Sequence, residues 1–157
     1  MKVNIKKLVI SIAIPLAVGG VAALFTRDSM MQFATVVKPP LSPPAWLFPL
    51  VWTILYTLMG ISSYLIAESG ASEEEIAQAR AIYYFQLALN FLWPLLFFGL
   101  NWYFLAFLEL IALWIAVFLM IKKFGEISPT AAYINVPYII WLTFAAYLNF
   151  GVWWLNR

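Results

Sequence analysis

On a helix, residues three and four apart share a face. Trp52 and Tyr56 therefore align on one apolar segment, Gln86, Asn90, Trp93 and Phe97 on a second, and Tyr138, Trp141, Ala145 and Leu148 on a third. Each face sets hydrogen-bonding groups among flat aromatic rings. That is the chemistry of a pocket for a large planar apolar ligand, in which rings stack and a few polar groups fix orientation. The same side chains also serve helix packing and the aromatic belts of a membrane surface. Trp46, Trp102, Tyr103, Trp153 and Trp154 lie near segment ends, where the belt reading is preferred. For Trp52 and Trp141, a turn or more inside, pocket and packing both stand. Asn90 equally fits an interhelical hydrogen bond. Glu109, the acid inside a span, must face the bundle, be paired or be protonated. A structural or ligand-orienting role is favoured for it over a proton relay, because no chain of partners accompanies it.

Other chemistries are excluded by composition. The chain has no His and no Cys, which removes the commonest general base, thiolate and imidazole metal ligands, disulfides and the usual axial haem ligands. No P-loop, nucleophile elbow or carboxylate metal cluster occurs, so no metal site and no required cofactor are expected. A formal charge of +2 without a long basic block does not suggest nucleic acid.

The elements that must carry these faces are membrane helices. Of 157 residues, 65% are hydrophobic and 10% charged, and the mean hydropathy is +0.91. Soluble domains run at roughly 45–50% apolar and 25% charged. At about 20 residues per crossing, the chain reads as an all-α integral membrane protein, a five-transmembrane-helix bundle in one domain, 1–157. The helices are expected at about 7–26, 44–67, 73–98, 102–122 and 129–155, with a loop at about 27–43. A signal peptide ending near Gly20-Val21-Ala22 is the lesser reading of the first segment. Ala13, Ala17, Gly20 and Ala23 form a small-residue stripe for close helix approach.

Lys38, Pro39, Pro43, Pro44 and Trp46 make the loop a stiff lid, since its prolines withhold backbone donors and cannot continue a helix. Ser42 is expected to cap the second helix, with Pro43 in its first position. Ser72 and Glu75 form a capping box for the third. Pro94 should kink that helix, and Gly99-Leu100-Asn101 should turn tightly into the fourth, whose exit is marked by Lys122-Lys123. Ser128 caps the fifth at Pro129, and Pro137 is a second kink candidate. Lys2, Lys6, Lys7, Arg80, Lys122 and Lys123 fall on one side and Arg27, Lys38 and Arg157 on the other, which favours an N-in orientation.

Several blocks together resemble one family. They are Pro15-x-x-x-Gly19-Gly20, Lys38-Pro39-x-x-x-Pro43-Pro44-x-Trp46, and Pro49-x-x-Trp52-x-x-x-Tyr56-x-x-Met59-Gly60. Gln86-Leu87-x-Leu89-Asn90-x-x-Trp93-Pro94-x-x-Phe97-Phe98-Gly99 and Pro137-Tyr138-x-x-Trp141-x-x-Phe144-Ala145-x-x-Leu148-Asn149 complete the set. The chain resembles the translocator protein family, also called tryptophan-rich sensory proteins or TspO/MBR, in a bacterial member. The resemblance implies a homodimer of five-helix bundles in the bacterial cell membrane, in contact with membrane lipid. It implies binding of porphyrins, protoporphyrin IX or haem, and of other planar apolar molecules in a pocket covered by the lid. Trp52, Tyr56, Gln86, Asn90, Trp93, Tyr138, Trp141 and Ala145 would line that pocket. A receptor or sensor is the leading expectation. Light- and oxygen-dependent porphyrin degradation through Trp52 and Trp141 is the alternative, and porphyrin or lipid transport the weaker one. Leu41 stands where the family usually has a lid Trp, and Gln32-Phe33 replaces an upstream Trp-Tyr pair. The lid is therefore expected to cover a ligand without stacking on it. At the C-terminus, Phe150 and Trp154 depart from the family's sterol motif, so strong sterol recognition is not expected.

Overall fold

The computed structural model describes residues 2–157. Five of its helical segments are long and apolar enough to cross a membrane, and no strand occurs among the described residues. The chain is a multi-pass integral membrane protein. Helix α1, Ile5–Thr26, is capped by Asn4, whose side-chain oxygen accepts the Lys7 N–H at 3.1 Å. Helix α2, Met30–Phe33, is a single turn inside the loop. Helix α3 is Leu47–Ala67 and α4 is Glu73–Pro94. A π-type turn, Leu95–Gly99, prolongs α4. Helix α5, Tyr103–Ile127, is followed by α6, Pro129–Ile134, and α7, Val136–Leu155.

Several helix ends follow their expected causes. Ser72 and Glu75 make both halves of the capping box, with the Ser72 hydroxyl accepting the Glu75 N–H at 3.2 Å and the Glu75 carboxylate accepting the Ser72 N–H at 2.9 Å. Ser128 accepts the Ala131 N–H at 3.3 Å, and Pro129 opens α6. The Pro94 disturbance takes the form of a widened turn. Pro94 has no N–H for the α-ladder, and the chain continues with the longer bonds Leu100 N–H to Leu95 O and Trp102 N–H to Leu96 O, both 3.0 Å. The last span breaks at Asn135, two residues before Pro137.

Two expectations need correction. Ser42 does not cap α3: its hydroxyl donates to Pro39 O at 2.7 Å, and the helix starts only at Leu47, behind the turn Leu47 N–H to Pro44 O. Consecutive prolines hold the residues before them extended, so the chain cannot coil until it is past Pro44. Lys122-Lys123 does not end the fourth helix, because α5 runs on to Ile127 and Lys123 pairs with Glu126 at 3.1 Å. Ala13, Ala17, Gly20 and Ala23 all face outward, exposed. Within the chain, α1 approaches α3 closely at Gly60, where a Cβ would come within 2.6 Å of Ser11 O, and at Gly19, which abuts the Tyr56 ring.

Helix α1 packs on α3, and α4 on α5. Helix α5 in turn supports α6 and α7; α6 approaches the α3 backbone closely, whereas α7 meets α3 through side chains, Tyr138 on Trp52 and Trp141 on Phe48. A main core that includes Met59, Leu87, Leu110, Leu113, Tyr138 and Leu142 runs through the bundle, and a second, smaller cluster of Leu96, Phe97, Ala106 and Val152 packs against Phe33 and Val36 of the loop. Lys7 pairs with Glu68 at 2.7 Å, tying the start of α1 to the end of α3 at the face opposite the loop.

Candidate functional site

Two long polar side chains one turn apart on α4, Gln86 and Asn90, sit in the middle of this core, 0% and 3% exposed. Buried amides at membrane depth need partners, and neighbouring helices supply them. The Tyr56 O–H on α3 donates to Asn90 Oδ1 at 2.6 Å. Asn90 Nδ2 donates to the Tyr138 hydroxyl on α7 at 2.7 Å, and that hydroxyl donates to Gln86 Oε1 at 2.7 Å. Gln86 Nε2 ends the chain against Met59 Sδ at 3.9 Å. Every donor points the same way along the series, so three helices are held in register by one directed chain. Above it, the Trp52 ring stacks on Tyr56, 5.4 Å between centroids and 29° apart, and meets Tyr138 edge-on at 6.2 Å and 75°.

Trp52, Asn90, Trp93, Leu110, Leu113 and Ala145 enclose a void of about 10 Å³, space for roughly one water molecule. Ala145 is the short side chain that leaves it open. Trp93 closes its far side, stacked on Phe97 at 4.9 Å and donating its indole N–H to Asn149 Oδ1 at 2.9 Å. Asn149 Nδ2 donates to Tyr103 O at 2.8 Å. The structure thus gathers Trp52, Tyr56, Gln86, Asn90, Trp93, Tyr138 and Ala145 into one place. It adds Leu110, Leu113 and, behind Trp93, Asn149. Asn149 was legible as a polar residue one turn beyond Ala145. Leu110 and Leu113 carry no signal in an apolar helix.

Trp141 lies elsewhere. From Tyr138, three residues turn a helix by about 300°, which leaves Trp141 about 60° off the face that Tyr138 and Leu142 present. It meets Phe48 of α3 at 5.9 Å and lines a separate crevice, and its indole N–H is buried without a partner among the described residues. Glu109 faces the bundle as expected but is not paired: neither carboxylate oxygen has a hydrogen-bond partner among the described residues.

The lid is fastened to the outer ends of α4 and α7. Phe33 lies against Phe97 and Phe98 at 5.4 and 5.2 Å, with Lys38 Nζ 4.8 Å above its ring. Asn156 grips Val37 from both sides, Oδ1 accepting its N–H at 3.0 Å and Nδ2 donating to its carbonyl at 2.8 Å. The Tyr147 O–H donates to Pro40 O at 2.7 Å. Buried Pro39 sits on Gly151, where a Cβ would come within 2.6 Å of the proline ring. Trp46 and Pro44 are exposed and Pro43 half-buried, all at the lid's outer margin. Leu41, 82% exposed with φ 67°, points away from the bundle. Gly151→Val is expected to lift Pro39 and break the Asn156 grip. Hydrogen exchange at the Val37 amide should then speed up at least about tenfold, a loss of about 1.4 kcal/mol of local protection. Unchanged exchange would show that Pro39 does not hold the lid.

Known sequences resemble this chain over nearly its whole length. Residues 11–155 match the family model described as the TspO/MBR family. The tryptophan-rich protein TspO of Archaeoglobus fulgidus is 42% identical over 154 residues, covering 98% of this chain and 99% of that protein. The translocator protein of Ovis aries is 39% identical over 131 residues, 83% of this chain and 78% of its own. The tryptophan-rich sensory protein of Cereibacter sphaeroides is 39% identical over 119 residues, 76% of this chain and 73% of its own.

Proposed function

Because the chain belongs to the TspO/MBR family, we propose that it is a membrane receptor or sensor that holds a planar apolar ligand, a porphyrin such as protoporphyrin IX or haem, at the Trp52–Asn90 site. The observation that carries this reading is the directed chain Tyr56–Asn90–Tyr138–Gln86 lying beneath the Trp52 ring. A flat ring system gains from stacking on the indole, and the amide and hydroxyl groups fix its orientation. With no His or Cys in the chain, the tetrapyrrole is held by stacking and apolar contact rather than by ligation through those residues. Relatives bearing the names sensory protein and translocator protein support a ligand-responsive membrane role.

The void of about 10 Å³ is far smaller than a porphyrin, so binding requires the Trp52 ring to move aside and α7 to shift outward. The cost of that opening is subtracted from the intrinsic affinity. The degradative alternative needs both indoles against one ligand. Trp52 and Trp141 line different spaces, so the receptor reading is the one carried forward.

Titration of the detergent-solubilised protein with protoporphyrin IX, followed by the ligand's own absorbance, tests the assignment. Trp52→Phe keeps an aromatic ring but loses indole area, and affinity should fall about three- to tenfold, as stacking differences of about 0.5–1.5 kcal/mol imply. Unchanged affinity would remove Trp52 from the site.

A further inference from the structure

Beyond the Asn135 break, α7 stands off from α3, touching it through Tyr138 on Trp52 and Trp141 on Phe48, and a crevice of about 490 Å³ opens between them. Val51, Leu55, Pro137, Ile140, Trp141 and Phe144 are among its lining side chains, and all of the lining residues are apolar or aromatic. Its inner end is closed by a polar clamp. The Ser62 hydroxyl donates to Ala131 O at 2.8 Å, and Asn135 Nδ2 donates to Ser62 Oγ at 2.7 Å. Its outer end is closed by Phe48 against Trp141. Leu55 and the Trp52–Tyr138 contact wall it off from the central void, with which it shares no lining residue.

We propose that this crevice is a lipid-chain site that takes one acyl tail of a bilayer phospholipid. Four features select that occupant. The crevice lies within the spanning segments of α3 and α7, so what adjoins it is hydrocarbon. A buried water is disfavoured there, because it needs two to four polar partners and the one free polar group among the lining side chains is the Trp141 indole N–H. The volume falls in the range of about 300–1,000 Å³ typical of small-molecule sites, but of the few polar groups by which such sites orient a functionalised ligand the lining side chains offer only the Trp141 indole N–H. A porphyrin would strand its carboxylates against this lining, whereas an unbranched chain brings no polar group of its own. The tail packs against the side of Trp141 and, through Leu55, backs the wall of the polar site.

Trp141 is a built-in reporter. In vesicles of phosphatidylcholine brominated at mid-chain, its emission, taken as the difference between the unmodified protein and Trp141→Phe, should lose most of its intensity. The Trp52 contribution, obtained in the same way with Trp52→Phe, should stay bright. Filling the crevice with Val51→Phe/Ile140→Phe should restore the Trp141 emission. Emission from Trp141 that survives in brominated vesicles, or that is quenched equally after filling, overturns the proposal. A second measurement needs no core variant. Brominated phosphatidylcholine titrated into the detergent-solubilised protein should quench to saturation at one lipid per chain, and quenching that climbs without saturating also overturns it.

Discussion

Gly60→Leu is expected to leave no monodisperse protein in detergent. Gly60 lies where the backbones of α1 and α3 touch, and even a methyl group there would fall within 2.6 Å of Ser11 O and 2.8 Å of Ile12 N. Those atoms are main chain and cannot rotate away. Overpacking a well-filled site costs about 1–3 kcal/mol when side chains can adjust, so Gly60→Ala, which meets backbone, should fall at the upper end. Leucine must separate the two helices altogether. Tyr56 would lose its backing as well, since it rests on Gly19 of α1. Gel filtration and thermal aggregation in detergent check the series. A monodisperse Gly60→Leu with an unchanged midpoint would show that α1 is not held to α3 by this contact.

Asn90→Leu is expected to have the second-largest effect, on stability and on binding together. Asn90 accepts from Tyr56 and donates to Tyr138, so leucine breaks the directed chain at its centre. The Tyr56 hydroxyl then has no acceptor in the core, and an orphaned buried donor costs about 1–3 kcal/mol. Protoporphyrin IX affinity should fall at least about tenfold, or about 1.4 kcal/mol, because the group that orients the ligand is gone. Tyr56→Phe removes one donor and leaves Asn90 joined to Tyr138, so its effect should be the smaller of the two. Equal effects, or a stable Asn90→Leu with full affinity, would mean that the polar chain is incidental to the site.

Much of the fold was legible because apolar length and capping chemistry act locally. The five spans, the Ser72–Glu75 box and the Ser128-Pro129 start all follow from neighbours in sequence. What escaped was not settled by residue type. Ser42 has the right type for a cap, but the extended prolines beside it turn its hydroxyl back to Pro39. Lys122 and Lys123 read as an exit, yet long lysine stems let the head group reach out while the helix continues. The approach of α1 to α3 uses Gly19 and Gly60 rather than the Ala13–Ala17–Gly20–Ala23 stripe, since one helix offers several small faces and α3 decides which of them it uses.

The site shows the same division. Spacing on α4 placed Gln86, Asn90 and Trp93 together, and the structure keeps them together. Spacing on α7 grouped Tyr138, Trp141 and Ala145, although three-residue and four-residue steps diverge by about 100° around a helix. Tyr138 and Ala145 stay with the central site, and Trp141 falls to the crevice. The break at Asn135, which lets α7 stand off from α3 and creates that crevice, was marked in sequence only by Pro137.

The most direct measurement of the central claim is a structure of this protein with protoporphyrin IX bound. The account predicts the tetrapyrrole between α3, α4 and α7, with the Trp52 indole against its face and the Asn90 amide within hydrogen-bond distance of it. A tetrapyrrole found only on the outer surface, with the Tyr56–Asn90–Tyr138–Gln86 chain and the Trp52 ring unmoved, would contradict it.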